Sequence, residues 1–298
     1  LFFNLSAIYN DYQFKAGFEQ EEFKFDIFSG VRDYTAKFDF DYFPSNNHQV
    51  KTGLHATHHR LTPNIIRGNA GDTEFENTAE AKYAHEYAVY LQDDWKINPW
   101  LRVNLGLRAT LFQQTGPYTS GIDGQVYDDG EVVKTYNSIE PRMFVTTTLN
   151  PNTSLKAGIT STTQYLHLVS NSSSTLPADV WVPSSELVKP QRGWQYAAGY
   201  FQNIRKNAFE ASVEVYYKSL KDQIDYRESY VDNSVDQVEN EFVFGDGRAY
   251  GTEFFIRKNT GALNGWIGYT LSRTDRTFPD IENGRTYPTT YDRTHDLS

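Results

Sequence analysis

Alternation with a period of two residues runs through almost the whole chain, and it narrows the possible folds more than any other feature. From Tyr83 to Ile97 one set of positions carries Tyr83, His85, Tyr87, Val89, Leu91, Trp95 and Ile97. The intervening set carries Ala84, Glu86, Ala88, Tyr90, Gln92, Asp94 and Lys96. Successive side chains of an extended strand point to opposite faces, so the pattern predicts strands with one apolar and one mixed face. Beyond Asn98-Pro99 it repeats, with Leu101, Val103, Leu105, Leu107, Ala109 and Leu111 against Arg102, Asn104, Gly106, Arg108 and Thr110. The short Asn-Pro link leaves no room for a helix, so two antiparallel strands meet there in a tight turn.

The same unit recurs at Pro44-Ser45-Asn46-Asn47, Asn150-Pro151-Asn152, Ile204-Arg205-Lys206-Asn207 and Asn259-Thr260-Gly261, each flanked by alternating stretches. The short turns return about every 54 residues. Between them lie long connections rich in Gly, Asn, Asp, Ser and Thr, around 61–81, 113–139, 168–190, 220–247 and 274–292. The strands, of about 10–15 residues, exceed the usual soluble length. Strict alternation of short turns with long loops is the rhythm of a transmembrane barrel, with turns on the periplasmic side and loops outside. In lipid every backbone amide must be paired, and a closed antiparallel sheet achieves this without helices. Tyr42, Trp95, Trp100, Tyr217 and Tyr269 stand near strand ends, where interfacial aromatic girdles lie. A soluble propeller or sandwich is the competing all-β reading, although a propeller blade carries four short strands rather than two long ones. Periodicity alone does not say which face points inward. The expected fold is all-β: a transmembrane antiparallel up-and-down β-barrel of about 12 long strands.

Composition removes several functions. The chain has no Cys, which excludes disulfides, zinc–thiolate sites and thiol nucleophiles. Its net charge of −10 speaks against a nucleic-acid partner. No apolar run approaches the roughly 20 residues of a membrane helix, whereas a barrel strand needs only every second residue apolar. Leu1-Phe2-Phe3-Asn4 lacks a cationic leader, so an exported chain of this kind is read as mature or truncated.

His55, His58 and His59 are the densest possible metal ligands, but alternation places His58 on the face opposite the other two. Asp128-Asp129-Gly130 and Asp225 to Glu228 read as solvated acidic loops. Gly245-Asp246-Gly247 precedes no helix, no Ser sits in a G-x-S-x-G context, and Asn171-Ser172-Ser173 matches a glycosylation sequon. No catalytic residue, metal or cofactor is therefore expected. Candidate ligand contacts are Gln164, Tyr165, His167, Trp181, Tyr226 and Arg227, in or near the long loops. Stacking and hydrogen bonding by these types suit a sugar, siderophore or peptide; packing of loops against one another is the competing role for each.

Several segments, in order, resemble TonB-dependent outer-membrane receptors. Glu86 to Ile97, followed by Leu105-Gly106-Leu107-Arg108, is similar to that family's Y-x-Q-D-D-W-K strand and the G-x-R strand after it. Glu140-Pro141-Arg142 resembles its x-P-R strand start, and Gly251-Thr252-Glu253-Phe254 its G-x-E motif. Gly265 to Ser272 resembles G-W-x-x-x-Y-T-x-S, and Tyr291 to Ser298 the D-R-x-H entry to a further strand. The connection from Gln164-Tyr165-Leu166-His167 through Asp179 to Pro183 and Lys189-Pro190-Gln191 resembles a subgroup carrying an N-terminal carboxypeptidase-regulatory-like domain.

The resemblance covers about residues 34–298. It implies a 22-stranded barrel, a plug domain and a box that docks the energy-coupling protein TonB. About 12 strands and no plug are counted here, so residues 1–298 are expected to be a barrel fragment. The implied function is uptake of a scarce nutrient (siderophore, cobalamin, glycan or peptide) with outer-membrane lipid around the wall and TonB acting through the missing plug. A complete 12-stranded enzyme barrel and a passive porin are the alternatives.

Overall fold

The computed structural model describes residues 1–20, 23–70, 73–76, 80–169, 180–227 and 238–298. Its strands are β1 (Phe2–Gln20), β2 (Phe23–Ser45), β3 (His48–Ala70), β4 (Thr73–Glu76), β5 (Lys82–Asn98), β6 (Leu101–Thr115), β7 (Tyr118–Thr119), β8 (Val126–Tyr127) and β9 (Val132–Asn150). They continue with β10 (Thr153–Gln164), β11 (Leu166–Val169), β12 (Val180–Pro183), β13 (Gln191–Ile204), β14 (Phe209–Tyr226), β15 (Phe242–Lys258), β16 (Gly265–Thr277), β17 (Thr286–Pro288) and β18 (His295–Leu297). Helical structure among the described residues is confined to single 3₁₀ turns at Val238–Glu241 and Glu282–Gly284.

Eleven long strands, all but the short β4, β7, β8, β11, β12, β17 and β18, form one antiparallel sheet in chain order. β17 and β18 both pair with β16, and β4 folds back on β3. The all-β, up-and-down reading therefore holds. All five short turns fall where the sequence places them, between β2 and β3, β5 and β6, β9 and β10, β13 and β14, and β15 and β16. At the fourth, Arg205, Lys206 and Asn207 adopt left-handed φ values of 53°, 57° and 66°, which reverses the chain within four residues.

Two expectations change. Residues 1–33, in which the sequence reading names no strand, supply β1 and the first part of β2, in continuous register from Phe2 opposite Asp41 to Gln20 opposite Phe23. The polar stretch after residue 61 is not a loose connection: β3 runs on to Ala70, and β2 and β3 each reach 23 residues. At about 3.4 Å per residue such strands are roughly twice as long as a bilayer crossing requires. Polar composition marks where the sheet leaves lipid, not where backbone pairing stops.

Register separates the two faces. One row runs Leu5–Phe38–Leu54–Val89–Ala109–Ile139 across β1, β2, β3, β5, β6 and β9. Another runs Leu155–Tyr200–Val213–Phe254–Tyr269 across β10, β13, β14, β15 and β16. All but Ala109 and Tyr269, which are half-buried, stand exposed, Leu54 and Val89 at 57% and 48%. Apolar surface on this scale is tolerated where lipid covers it, so this is the outward face.

Candidate functional site: the inner wall and its loop layer

Behind these rows, the opposite face carries charged and polar residues. Asp39, Gly53, Tyr90, Arg108 and Glu140 share one row, and Lys37, His55, Ala88, Thr110 and Ser138 the next. Tyr90 donates to Asp39 at 2.7 Å, and His55 lies 3.6 Å from the same carboxylate. Arg108 spans three strands, reaching His55 at 3.1 Å and Glu86 at 3.3 Å. Lys51 pairs with Asp41 at 3.1 Å, and Arg142 donates to Gln92 at 2.5 Å. Gly53 makes the arrangement possible: a Cβ there would stand 2.5 Å from the Tyr90 ring and 2.7 Å from the Asp39 carboxylate. These groups are half-buried, so each pair contributes little stability singly; together they make a wet, fixed-charge wall.

Over the upper part of this wall lies a layer of connections. Hairpin β11–β12 packs on β2, β3 and β5, and its Trp181 ring meets Tyr12 of β1 at 6.3 Å, nearly edge-on. Beneath it Leu61, wholly buried, shares an inner row with Val31 and Lys82. Val169, Val180, Val182 and Val188 form a core with Ile224, Tyr226 and Phe242 from β14 and β15. The segment after β12 ties the connections together. The Glu186 carboxylate accepts from the Tyr118 hydroxyl at 3.0 Å, from Ser120 at 3.1 Å and from the Gly121 amide at 3.1 Å. Burial, with the carboxylates of Glu239 and Glu186, pushes the Tyr118 phenol well above its ordinary range, so it acts as a donor. Ser185 donates to Glu239, and Tyr136 of β9 donates to the Ser185 carbonyl at 2.8 Å. Glu239, 5% exposed, also pairs with Lys82 on the inner face of β5.

Of the six residues singled out from sequence, three are held inside this layer. Tyr165 lies under it, stacked on Phe112 and donating to Ser138 at 2.9 Å. His167 is wholly buried in a directed chain. Gln223 donates to the Gln191 carbonyl oxygen at 2.8 Å, the Gln191 amide to His167 Nδ1 at 3.2 Å, and His167 Nε2 to Ser184 at 3.0 Å. Burial pulls the imidazole pKa down to about 4, so the ring is neutral at physiological pH. Tyr226 is buried edge-on against Phe242, ring centroids 5.1 Å apart. The other three are more open. Trp181 is half-buried; Gln164 is exposed at the end of β10, donating to the Leu166 carbonyl at 2.7 Å. Arg227 is exposed, its backbone amide bound to the Glu241 carbonyl at 2.8 Å.

Sequence reasoning missed Phe112, Lys82, Ser185, Glu186 and Glu239. Lys82 and Glu239 are 157 residues apart, and no local pattern relates them. His55 and His59 lie on the inner face and His58 on the outer; among the described residues no group of three or more His, Cys, Asp or Glu is placed to hold a metal. The sequon at Asn171 and the acidic Glu228 lie outside the described residues.

A long antiparallel sheet with an apolar outward face, a charged inner face and connections folded over it is the architecture of an outer-membrane receptor barrel. The family model described as "TonB dependent receptor-like, beta-barrel" matches residues 2–296, and the chain belongs to that family. The match begins at β1, some thirty residues before the span that the sequence resemblance covers. Members are receptors and transporters of the Gram-negative outer membrane rather than enzymes. Solved structures with the same fold include the ferric yersiniabactin uptake receptor FyuA from Yersinia pestis, with a TM-score of 0.65 and 12% identity over 99% of this chain and 43% of that one. The FrpB iron transporter from Neisseria meningitidis gives 0.59 and 13%, over 88% and 41%. The alcaligin outer-membrane receptor FauA from Bordetella pertussis gives 0.59 and 13%, over 99% and 46%. The chain spans less than half the length of each of these proteins. No curated protein matches the sequence.

Proposed function

We propose that residues 1–298 are one barrel portion of a longer receptor that captures a scarce nutrient at the cell surface. In this reading import is driven by TonB acting through a plug outside this span, in the subgroup with an N-terminal carboxypeptidase-regulatory-like domain. The observation that carries the reading is the loop layer: connections from three parts of the chain lie across the charged wall, joined to one another and to Lys82 of β5 through Glu186 and Glu239. A passive pore works best with that face open; a receptor needs it roofed by a built surface. Trp181, Gln164 and Arg227 are the proposed ligand contacts, one stacking surface and two hydrogen-bonding groups. Tyr165, His167 and Tyr226 hold the layer that presents them. The ligand is a siderophore, cobalamin, glycan or peptide, and the iron and ferric-chelate transporters among the relatives favour a metal chelate.

The test is uptake in cells carrying the full-length gene, with each nutrient class supplied in labelled form and with TonB present or deleted. Accumulation of one class that stops without TonB supports the reading. Uptake that persists without TonB, at a rate proportional to concentration, is the porin outcome and overturns it.

A further inference from the structure

On the outward face, between β1 and β9, the apolar surface is not flat. Small residues at Ala36, Ala56 and Ala109 open a groove of about 670 Å³ walled by Phe38, Leu54 and Tyr87. It continues into a second hollow of about 490 Å³ that shares Ala36, Ala56 and Tyr87 and is ringed by Tyr9, Tyr34, His58 and His85. The two imidazoles bring their Nδ1 atoms within 3.4 Å, with His58 flanked by the Tyr34 and Tyr83 rings. One register row further up stand Arg32 and Arg60, opposite one another. Arg32 is held by Asp11 at 2.9 Å, whereas Arg60 is exposed and makes no ion pair among the described residues.

The height of this cationic row follows from strand geometry. His48 stacks on Trp95 beside the β2–β3 turn, at the level of a lower aromatic girdle. Arg60 lies twelve residues further along the same strand. At about 3.3 Å per residue and a tilt near 40°, that places it about 30 Å higher, one hydrocarbon thickness, at the outer headgroup level. Apolar groove, aromatic and imidazole belt, then guanidinium is the polarity order of an anionic lipid lying along the wall.

We propose that this face holds one outer-leaflet lipid, an acyl chain in the Ala36–Ala56 groove and a phosphate-bearing headgroup at Arg60, Arg32 and the His58–His85 pair. The charge is the deciding argument: the phosphate of a zwitterionic lipid is already offset by its own ammonium, whereas the uncompensated phosphate of an anionic lipid gains a stronger charge-assisted hydrogen bond from Arg60, which makes no ion pair among the described residues.

The test is native mass spectrometry of the full-length protein in detergent, titrated with lipid A, with phosphatidylcholine and with inorganic phosphate. One lipid A retained per protein is expected, falling about tenfold in Arg60→Gln, which touches an exposed side chain only, and likewise in Ala56→Phe, which fills the groove. Ala157→Phe, on the same face but on β10, should leave retention unchanged, and unboiled gel migration confirms that each variant is folded. Equal retention of phosphatidylcholine, or retention insensitive to both Arg60→Gln and Ala56→Phe, would show a non-specific annulus and overturn the proposal. Displacement of lipid A by millimolar inorganic phosphate would mean an anion site without a groove and would overturn it as well.

Discussion

Tyr165 lies flat on Phe112, ring centroids 4.7 Å apart and planes 3° from parallel. Phe112 projects from the inner face of β6 and is wholly buried, so this stack is where the loop layer is seated on the wall. Phe112→Ala removes the seat and should cost about 3–5 kcal/mol of layer docking, whereas Tyr165→Phe removes only the bond to Ser138, about 1 kcal/mol. Hydrogen exchange of peptides covering 165–191 in the full-length protein reads both. Equal protection in the two variants would count against the seating role.

The Lys82–Glu239 pair is a second tie between the layer and the wall, with Glu239 almost fully buried. Removing one partner leaves a buried charge without its counter-ion, so Lys82→Met or Glu239→Gln alone should cost about 3–5 kcal/mol. The double variant should recover most of that loss. A thermal melt in which the two single losses simply add would show that the groups do not act as a pair.

His167 gives the layer a pH response of predictable sign. Its native pKa, about 4, lies below the 6.5 of a free imidazole. Between those values the undocked state binds a proton that the docked state refuses, so stability is fully present at neutral pH and is lost as pH falls through that window. The loss is roughly 2 kcal/mol at pH 5. Protonation also sets a second N–H against the Gln191 amide, which already donates to Nδ1. Exchange of the 165–191 peptides should accelerate below pH 6, and His167→Asn should flatten that dependence. An unchanged slope in the variant would assign the response to other groups.

Strand identity and turn position were legible because they are local. Trp194, Tyr196, Ala198 and Tyr200 alternate cleanly, and their exposure alternates with them. β1 was harder to read because Phe2 and Phe3 are adjacent and both exposed, which blurs the period at its start. The sense of the sheet was not legible at all, since a two-residue period is symmetric between its faces; loop packing on the inner side decides it. The site was legible only as residue types. Tyr165 and His167 stand out by their chemistry, but Phe112 looks from sequence like any mixed-face residue, and Glu186 like any solvated loop acid. Their roles depend on contacts made across tens of residues, which no spacing rule encodes.

The central claim, that the Leu5–Ile139 row and its neighbours face lipid while the charged rows face inward, is tested most directly by spin-label accessibility. Residues 1–298 contain no Cys, so single labels report chosen positions. Val89→Cys, Leu107→Cys and Val215→Cys should favour collisions with oxygen over a polar nickel complex in the full-length protein in outer-membrane vesicles. Asn104→Cys, Gln195→Cys and Ser212→Cys, one residue out of phase on the inner face, should show the opposite preference. The same preference in both sets, or the reverse assignment, would contradict this account of the sheet.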